Sequence, residues 1–191
     1  HSSGRYGLRI FHNLISRKFP CRPVSEANPT ITSNFDRLTS WKNGRNGAIA
    51  EKVGDVRFNN FKTADNILAG IEFSLTDEPN IGDDKPGIYN AVIIGKTENT
   101  ESMLERAWIH PHGIITPRTE NFVIRGVKFF NFNWNKAAAL GTCSHCFHAA
   151  ATDSGARTVR MSGLEFTDVE RRIRWSYPFK AIFKDEDGSL T

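Results

Sequence analysis

The chain has 191 residues, a length that fits one domain or part of a larger one and that allows a sizeable buried core. Its 14 Phe and 4 Trp supply bulky apolar surface, which excludes a disordered chain. The net charge is only +4, and no long run of like charges occurs. The composition therefore favours a solvated mixed-charge surface over a nucleic-acid site, although a polyanionic glycan could be attracted weakly.

No apolar stretch approaches the roughly 20 residues that a membrane-spanning helix needs. Residues 1–4 show no signal-peptide pattern, and residues 187–191 directly follow an apolar strand-like run. We therefore expect residues 1–191 to be a fragment of a single domain, with both ends truncated.

Short apolar alternations bounded by Gly, Asn and Asp recur along the chain, and they predict strands and turns rather than helices. Three of them lie at 56–61, 122–129 and 159–166. The last two align with one glycine each, Gly126 and Gly163, placed between two apolar pairs. The local pattern is thus that of an all-β protein.

A shift of the chain by about 23 residues superimposes similar residue types, and a period of about 23 corresponds to one coil of a β-solenoid. The superimposed pairs are Leu38 with Phe61, Asn43 with Asn66, Gly47 with Gly70, Ala48 with Ile71 and Ala50 with Phe73. Each coil has short strands that cannot bury their inner face alone, so stacking in register builds one continuous core. We therefore predict a right-handed, single-stranded parallel β-helix, with an amide ladder joining Asn43 to Asn66. A β-sandwich of similar short strands is the alternative.

Later repeats do not keep this period, so loops must be inserted into the coils. The composition places insertions at 77–86, at 98–117 with a short helical turn at 102–108, and at 136–157. Loops on a solenoid gather on one face, and that face is usually the binding face.

Six segments, spread in order over nearly the whole chain, resemble one known family. They are residues 4–11, 20–21, 39–44, 141–146, 159–166 and 181–191. The last, with its Asp-x-Asp-Gly-Ser-Leu-Thr ending, is the most specific. Together they resemble the fibrocystin-like family, whose relatives include a cell-migration-inducing hyaluronan-binding protein and a transmembrane cell-surface hyaluronidase. The Cys-x-x-Cys and residues 41–44 look closest to its fibrocystin-L branch.

The resemblance implies an extracellular region of parallel β-helix repeats that follows a so-called G8 domain. It implies a large single-pass membrane protein with this region on the outer face of the plasma membrane, a cilia- or stereocilia-type surface being one candidate. The alternative that it implies is a secreted relative. Its partners would be extracellular proteins or glycans, and it would meet the membrane only through a segment outside these residues. The G8 domain is not recognisable in these residues, so no role that depends on it is carried over.

The densest set of metal-ligand side chains is Cys143, His145, Cys146 and His148. Two thiolates and two imidazoles could hold Zn²⁺, but a second Cys-x-x-Cys pair is missing and ligands this close cannot easily face one ion. In an oxidising compartment a Cys143–Cys146 disulfide, or a bridge from one of them to Cys21, is favoured over free thiols and over a metal.

Two further groups of polar residues have simpler interpretations. His110 and His112 flank a proline and are predicted to lie in a surface loop. Acidic residues cluster at 77–84 and at 185–187. Calcium could use either cluster, and it is the one cofactor that the sequence leaves open, but the spacing of an EF-hand loop is missing and solvated turn acids are the default.

The best candidate for ligand binding is a basic-aromatic stripe formed by Arg171, Arg172, Arg174, Trp175 and Tyr177. Sugar rings stack on aromatic faces, and guanidinium groups could grip a glycan carboxylate. The alternative is a strand edge with one core Trp.

No nucleotide-binding, metalloprotease or serine-hydrolase motif occurs in the sequence. We therefore expect a non-catalytic structural or interaction module of a large membrane-anchored protein, which presents loops to a partner or glycan. The alternative is part of a hyaluronan-binding or hyaluronan-depolymerising enzyme.

Overall fold

The computed structural model describes residues 2–25, 27–76, 86–98, 111–119, 122–134, 136–142, 158–175 and 181–191. Within these ranges every regular element is a β-strand, and the strands fall into three sheets. None of the described residues forms a helix that is long and apolar enough to cross a membrane.

The first sheet contains, in spatial order, β1 (Tyr6–Ile10), β4 (Asn46–Ala50), β7 (Ala69–Phe73), β10 (His112–Ile115), β13 (Ala138–Gly141) and β16 (Ile173–Arg174). The second contains β2 (Ser33–Asp36), β5 (Val56–Asn59), β8 (Gly87–Tyr89), β11 (Phe122–Arg125), β14 (Thr158–Ser162) and β17 (Ile182–Asp185). The third contains β3 (Thr39–Trp41), β6 (Lys62–Ala64), β9 (Val92–Ile94), β12 (Lys128–Phe132) and β15 (Glu165–Val169).

Every third strand along the chain joins the same sheet, and every strand pair is parallel. The chain thus winds from the second sheet to the third and then to the first, once per coil, which is the path of a parallel β-helix. The sandwich alternative is wrong for this chain, because sandwiches of that kind are built from antiparallel sheets.

The register confirms the predicted repeat. Ala48 pairs with Ile71 and Ala50 with Phe73 across β4 and β7. The Asn43 side-chain Nδ2 donates to Asn66 Oδ1 over 2.7 Å, at an offset of 23 residues. The amide ladder expected from the sequence is therefore present.

The corner between the second and third sheets repeats one backbone conformation in successive coils. The residues after β2, β5, β8, β11 and β14 all have positive φ, and they are Arg37, Asn60, Asn90, Gly126 and Gly163. Asn and Gly adopt this left-handed region at the lowest cost, which explains why they dominate the corner. The alignment of Gly126 with Gly163 is confirmed.

The core is a column of side chains that all three sheets enclose. Its fully buried aromatic members are Phe58, Phe61, Phe73, Phe122, Phe129 and Phe132. Where the first sheet approaches the third, the chain instead carries glycine in successive coils. A Cβ on Gly70 would lie 2.6 Å from Thr63 Oγ1 and 2.8 Å from the Gly113 carbonyl oxygen, so a side chain would collide there.

Two of the predicted insertions are too long, because each includes a strand of the β-helix. β10 lies inside the range 98–117 and β13 inside 136–157, and both strands are buried along their whole length. Because a strand buried on both faces lacks the apolar-polar alternation, the pattern did not reveal them. His112 is a buried residue of β10, so the prediction of a surface loop is wrong for it. The predicted helical turn at 102–108 and nearly all of the insertion at 77–86 lie outside the described residues.

Candidate functional site

The outer face of the first sheet carries a mixed column of charged and apolar residues. Its members, matched by register through six neighbouring strands, are Arg9, Ile49, Glu72, Ile115, Gly141 and Arg174. They alternate with core residues such as Ala48 and Ile71 and therefore point away from the core. Ile49 and Ile115 are nevertheless buried, so this face is concave rather than flat.

A cleft of about 320 Å³ opens on this face, and we call it the first-sheet cleft. Polar and charged side chains line most of it, and the two isoleucines form an apolar part of its floor. The lining residues are Tyr6, Arg45, Asn46, Ile49, Glu51, Glu72, Phe73, Ser74, Ile115, Thr116, Arg118 and Thr142.

One end of the cleft is formed by an aromatic ring among arginines. The Tyr6 hydroxyl accepts a hydrogen bond from Arg45 Nη1 at 3.3 Å, and the Arg9 guanidinium lies 5.2 Å from the Tyr6 ring centre. Arg9 also makes a bidentate salt bridge with Glu51, in which Nε and Nη2 donate to the two carboxylate oxygens at 3.1 and 3.2 Å. Its hydrogen bond to Glu51 raises the pKa of Arg9 above the ordinary value.

The floor of the cleft contains one buried carboxylate. Glu72 is 9% exposed, and its Oε2 accepts a hydrogen bond of 2.7 Å from Asn46 Nδ2. A carboxylate held in place between two isoleucines can accept hydrogen bonds from a ligand hydroxyl or amide without first reorganising.

The opposite wall of the cleft carries Arg118 on a firmly held segment. The Arg118 N–H donates to the Ser74 carbonyl oxygen at 3.1 Å. On one side, Thr116 bonds to Gly141 of the next coil, and on the other, Thr119 Oγ1 lies 2.6 Å from Thr76 Oγ1 of the preceding coil. The backbone of Arg118 is thus fixed by both neighbouring coils.

A second, smaller cleft of about 240 Å³ lies at the far corner of the third sheet. Its polar groups mainly bond to one another: Asn133 Nδ2 contacts Asp168 Oδ2, and Thr97 donates twice to the carboxylate of Asp65, each time over 2.7 Å. Across the described ranges, no set of three or more His, Cys, Asp or Glu side chains is placed to hold a metal ion. Calcium binding stays a prediction.

The predicted basic-aromatic stripe lies at the edge of the first sheet. Arg171 and Arg174 both donate to the Lys136 carbonyl oxygen, at 3.1 and 3.3 Å. Burial, and then the nearby charge of Arg171, lower the pKa of Arg174. Arg172 lies over the Phe166 ring and donates to the carbonyl oxygens of the last two residues.

The aromatic part of the stripe is only partly described. Trp175 is exposed and lies 5.0 Å from the Phe183 ring, whereas Tyr177 lies outside the described residues. Because Arg174 belongs to the same outward column as Glu72, the stripe and the first-sheet cleft share one face. Its predicted role in ligand binding stays a prediction.

The acidic ending that carries the family resemblance is a turn. The Asp185 carboxylate accepts the N–H groups of Gly188 and Leu190, and Asp187 accepts those of Ser189 and Gly163. Hydrogen bonding from Ser189 and from the Gly163 N–H lowers the pKa of Asp187.

The outward basic residues near this turn are paired. The neighbouring Glu186 accepts a hydrogen bond from Arg160 Nε at 2.6 Å and lies 3.7 Å from Arg125. Lys128 pairs with Glu165 at 2.9 Å in the third sheet. Arg125, Lys128 and Arg160 thus lie on the outer face, as their alternation with core residues along the strands indicates.

Of the predicted cysteine cluster, only Cys21 can be described. It is exposed and free, so the proposed bridge from it is absent from this structure. Cys143, His145, Cys146 and His148 lie outside the described residues, and the disulfide between the two cysteines stays a prediction.

Sequence reasoning missed the main lining residues of the first-sheet cleft. Tyr6 was noticed only as part of a family segment, and Glu72 and Arg118 were not singled out. The available signal was a charged residue inside an apolar run, since Glu72 interrupts Ile71 and Phe73. A buried strand that carries one carboxylate on its outer face has this pattern.

The three parallel sheets and their stacked registers define the chain as a parallel β-helix protein. It is 26% identical to fibrocystin of Canis lupus familiaris and 27% identical to fibrocystin of Mus musculus, in both cases over all 191 residues of this chain. The chain spans 4% of the length of each of these relatives. No family model matches the sequence, and no solved structure matches it either. The two similarities, each over the whole of this chain, support a relationship to the fibrocystin-like family.

Proposed function

We propose that the chain is a rigid, non-catalytic segment in the extracellular part of a large cell-surface protein, where it binds a glycan or a protein partner through the outer face of its first sheet. The family similarity supports the cell-surface setting. The observation that carries the binding role is the first-sheet cleft, a concave and largely polar site of about 320 Å³ formed by strands of the first sheet and by the residues that follow or precede them.

The size and lining of the cleft suit a small part of a larger ligand. Its volume is at the lower end of the range for ligand pockets, which is about 300–1,000 Å³. Several of its groups are already bonded to one another, as in the pairs Arg9–Glu51 and Asn46–Glu72, so they keep their geometry before a ligand arrives. Such a site favours ligand binding, because fewer side chains lose conformational entropy when the ligand binds.

The proposal is tested by filling the cleft. The purified chain is assayed by biolayer interferometry against a panel of neutral, sialylated and uronate-containing cell-surface glycans. We expect saturable binding to at least one of them, weakened at least tenfold by Ser74→Trp, which places a large ring in the cleft. Thr167→Trp, on the exposed face of the third sheet, is the matched control and should bind like the parent chain.

Two results would contradict the proposal. Binding that survives Ser74→Trp unchanged would show that the cleft is not the site, and failure of the parent chain to bind any member of the panel would remove the binding role. Incubation with high-mass hyaluronan, with and without Ca²⁺, addresses catalysis, since a shortened polymer would favour the hyaluronan-depolymerising alternative.

A further inference from the structure

We propose that the first-sheet cleft recognises a sugar residue that carries a single carboxylate, with Arg118 binding the carboxylate and Glu72 and Asn46 binding adjacent hydroxyl or amide groups. This inference rests on the proposed function above and names the ligand chemistry of the same site.

The charge balance of the cleft points to one anionic group on the ligand. Arg9, Arg45 and Arg118 bring three positive charges to the cleft and its border, and Glu51 and Glu72 bring two negative ones, so one positive charge is left over. Glu51 pairs with Arg9, and Glu72 accepts a hydrogen bond from the neutral amide of Asn46. Arg45 contacts the Tyr6 hydroxyl. Arg118 makes no ion pair or side-chain hydrogen bond with any described residue, although it lines the cleft and is only partly exposed. A guanidinium without a partner in a concave site is matched best by a carboxylate, which it can bind through two parallel hydrogen bonds.

The rest of the lining suits hydroxyl groups rather than a second charge. Ser74, Thr116 and Thr142 supply hydroxyls, and Asn46 and Glu72 supply planar polar groups. A peptide rich in acidic residues would need several cations close together, but Arg118 is the one cleft arginine whose side chain has no partner in the described ranges. A carboxylate beside several hydroxyls is the chemistry of a uronic or sialic acid residue, and not that of an acidic peptide.

Arg118 is also held in a way that favours specific binding. Both neighbouring coils fix its backbone through Ser74, Thr116 and Thr119. Only its side chain must become ordered when a ligand binds, so little conformational entropy is lost per hydrogen bond that forms.

The test uses the intact chain, with binding followed by NMR titration. The probes are glucuronate, N-acetylneuraminic acid, the methyl ester of glucuronate, glucose and a short polyglutamate peptide. For the parent chain we expect the two acidic sugars to bind at least tenfold more tightly than the ester and glucose, and the peptide to bind no better than the neutral probes.

Arg118→Ala should remove this preference, because the acidic sugars should then bind no more tightly than the ester and glucose, and Arg118→Lys should restore part of it. Arg37→Ala is the matched control, since the Arg37 side chain is 83% exposed at a distant corner of the fold, and it should behave like the parent chain.

Each remaining outcome contradicts a specific statement. Equal binding of acidic and neutral sugars, or an acidic preference that survives Arg118→Ala, would overturn the carboxylate assignment and leave the proposed function standing. Tighter binding of polyglutamate than of the acidic sugars would mean that the ligand of the cleft is an acidic peptide and not a sugar. If the parent chain binds none of these probes and none of the glycans in the interferometry panel, the proposed binding function itself is contradicted.

Discussion

At the scale of single residues, the fold depends on a few polar side chains that are buried between coils. Asn43 is fully buried, donates to Asn66 Oδ1 and to Ser40 Oγ, and accepts the N–H of Ser3. It thus connects three coils at one corner. A buried amide that is satisfied in this way stabilises one register, because any slip would leave several polar groups without a partner.

We predict that Asn43→Ala lowers the free energy of unfolding by about 1–3 kcal/mol, because it leaves polar partners of the amide unpaired in the interior. Urea unfolding followed by circular dichroism would measure the change. Asn34→Ala is the matched control, since Asn34 makes a similar contact to Asn59 on the exposed surface. An equal effect of both substitutions would mean that burial of the ladder does not matter.

At the scale of elements, the three sheets are held in register by corners with a fixed backbone conformation. The corner between the second and third sheets has φ values of 66° at Gly126 and 63° at Gly163. In the coils where the same corner carries Asn60 and Asn90, those residues also have positive φ. The conformation therefore belongs to the corner, and the residue type follows from it.

The substitution Gly163→Ala should destabilise the protein by roughly 1 kcal/mol, because an L side chain is strained at positive φ. An added Cβ would have ordinary contacts there, the closest at 3.4 Å to Gly126, so the effect isolates backbone strain from crowding. Thermal unfolding would measure it.

Gly4→Ala is the control for this corner, since nothing lies within 4 Å of the added Cβ, and it should change little. A Gly163→Ala variant as stable as the parent chain would argue against a required left-handed corner.

At the scale of the whole molecule, stability comes from coils that contact only their neighbours. Phe58 lies at the junction of the first coils, with its ring centre 4.5 Å from that of Phe61, 4.8 Å from Phe73 and 5.9 Å from Phe35. The column of stacked side chains makes the chain stiff along its axis, and this stiffness supports the role of a rigid presenting surface.

Phe58→Ala should cost about 3–5 kcal/mol, because the ring is fully buried and its removal leaves a cavity between coils. Hydrogen exchange should accelerate more in β2–β7 than in β14–β17, since the defect weakens its own coils first. Phe11→Ala, at a site that is 62% exposed, is the control and should cost about 1 kcal/mol or less. Uniform acceleration over all coils would instead indicate a single cooperative unit.

The sequence alone predicted the class of fold, with a β-sandwich as the alternative that the parallel sheets then excluded. The repeat that carries Asn43 onto Asn66 and Ala48 onto Ile71 favours parallel coils, because stacked coils bring residues at that offset into contact. Gly126 and Gly163 likewise predicted a shared corner. Inward and outward positions within a coil follow from local alternation, and they were predictable for Arg125, Lys128 and Arg160 on the same basis.

Only the tertiary structure decided which outward residues meet in one site. Tyr6, Glu72 and Arg118 come from different coils that are separated by insertions of unequal length, and the sequence contains no signal that sets the lateral alignment across such insertions. The sequence pattern also did not predict strands β10 and β13, because burial on both faces removes the alternation of apolar and polar residues. Local periodicity thus fixes how each coil is built, whereas packing between coils decides where the cleft forms.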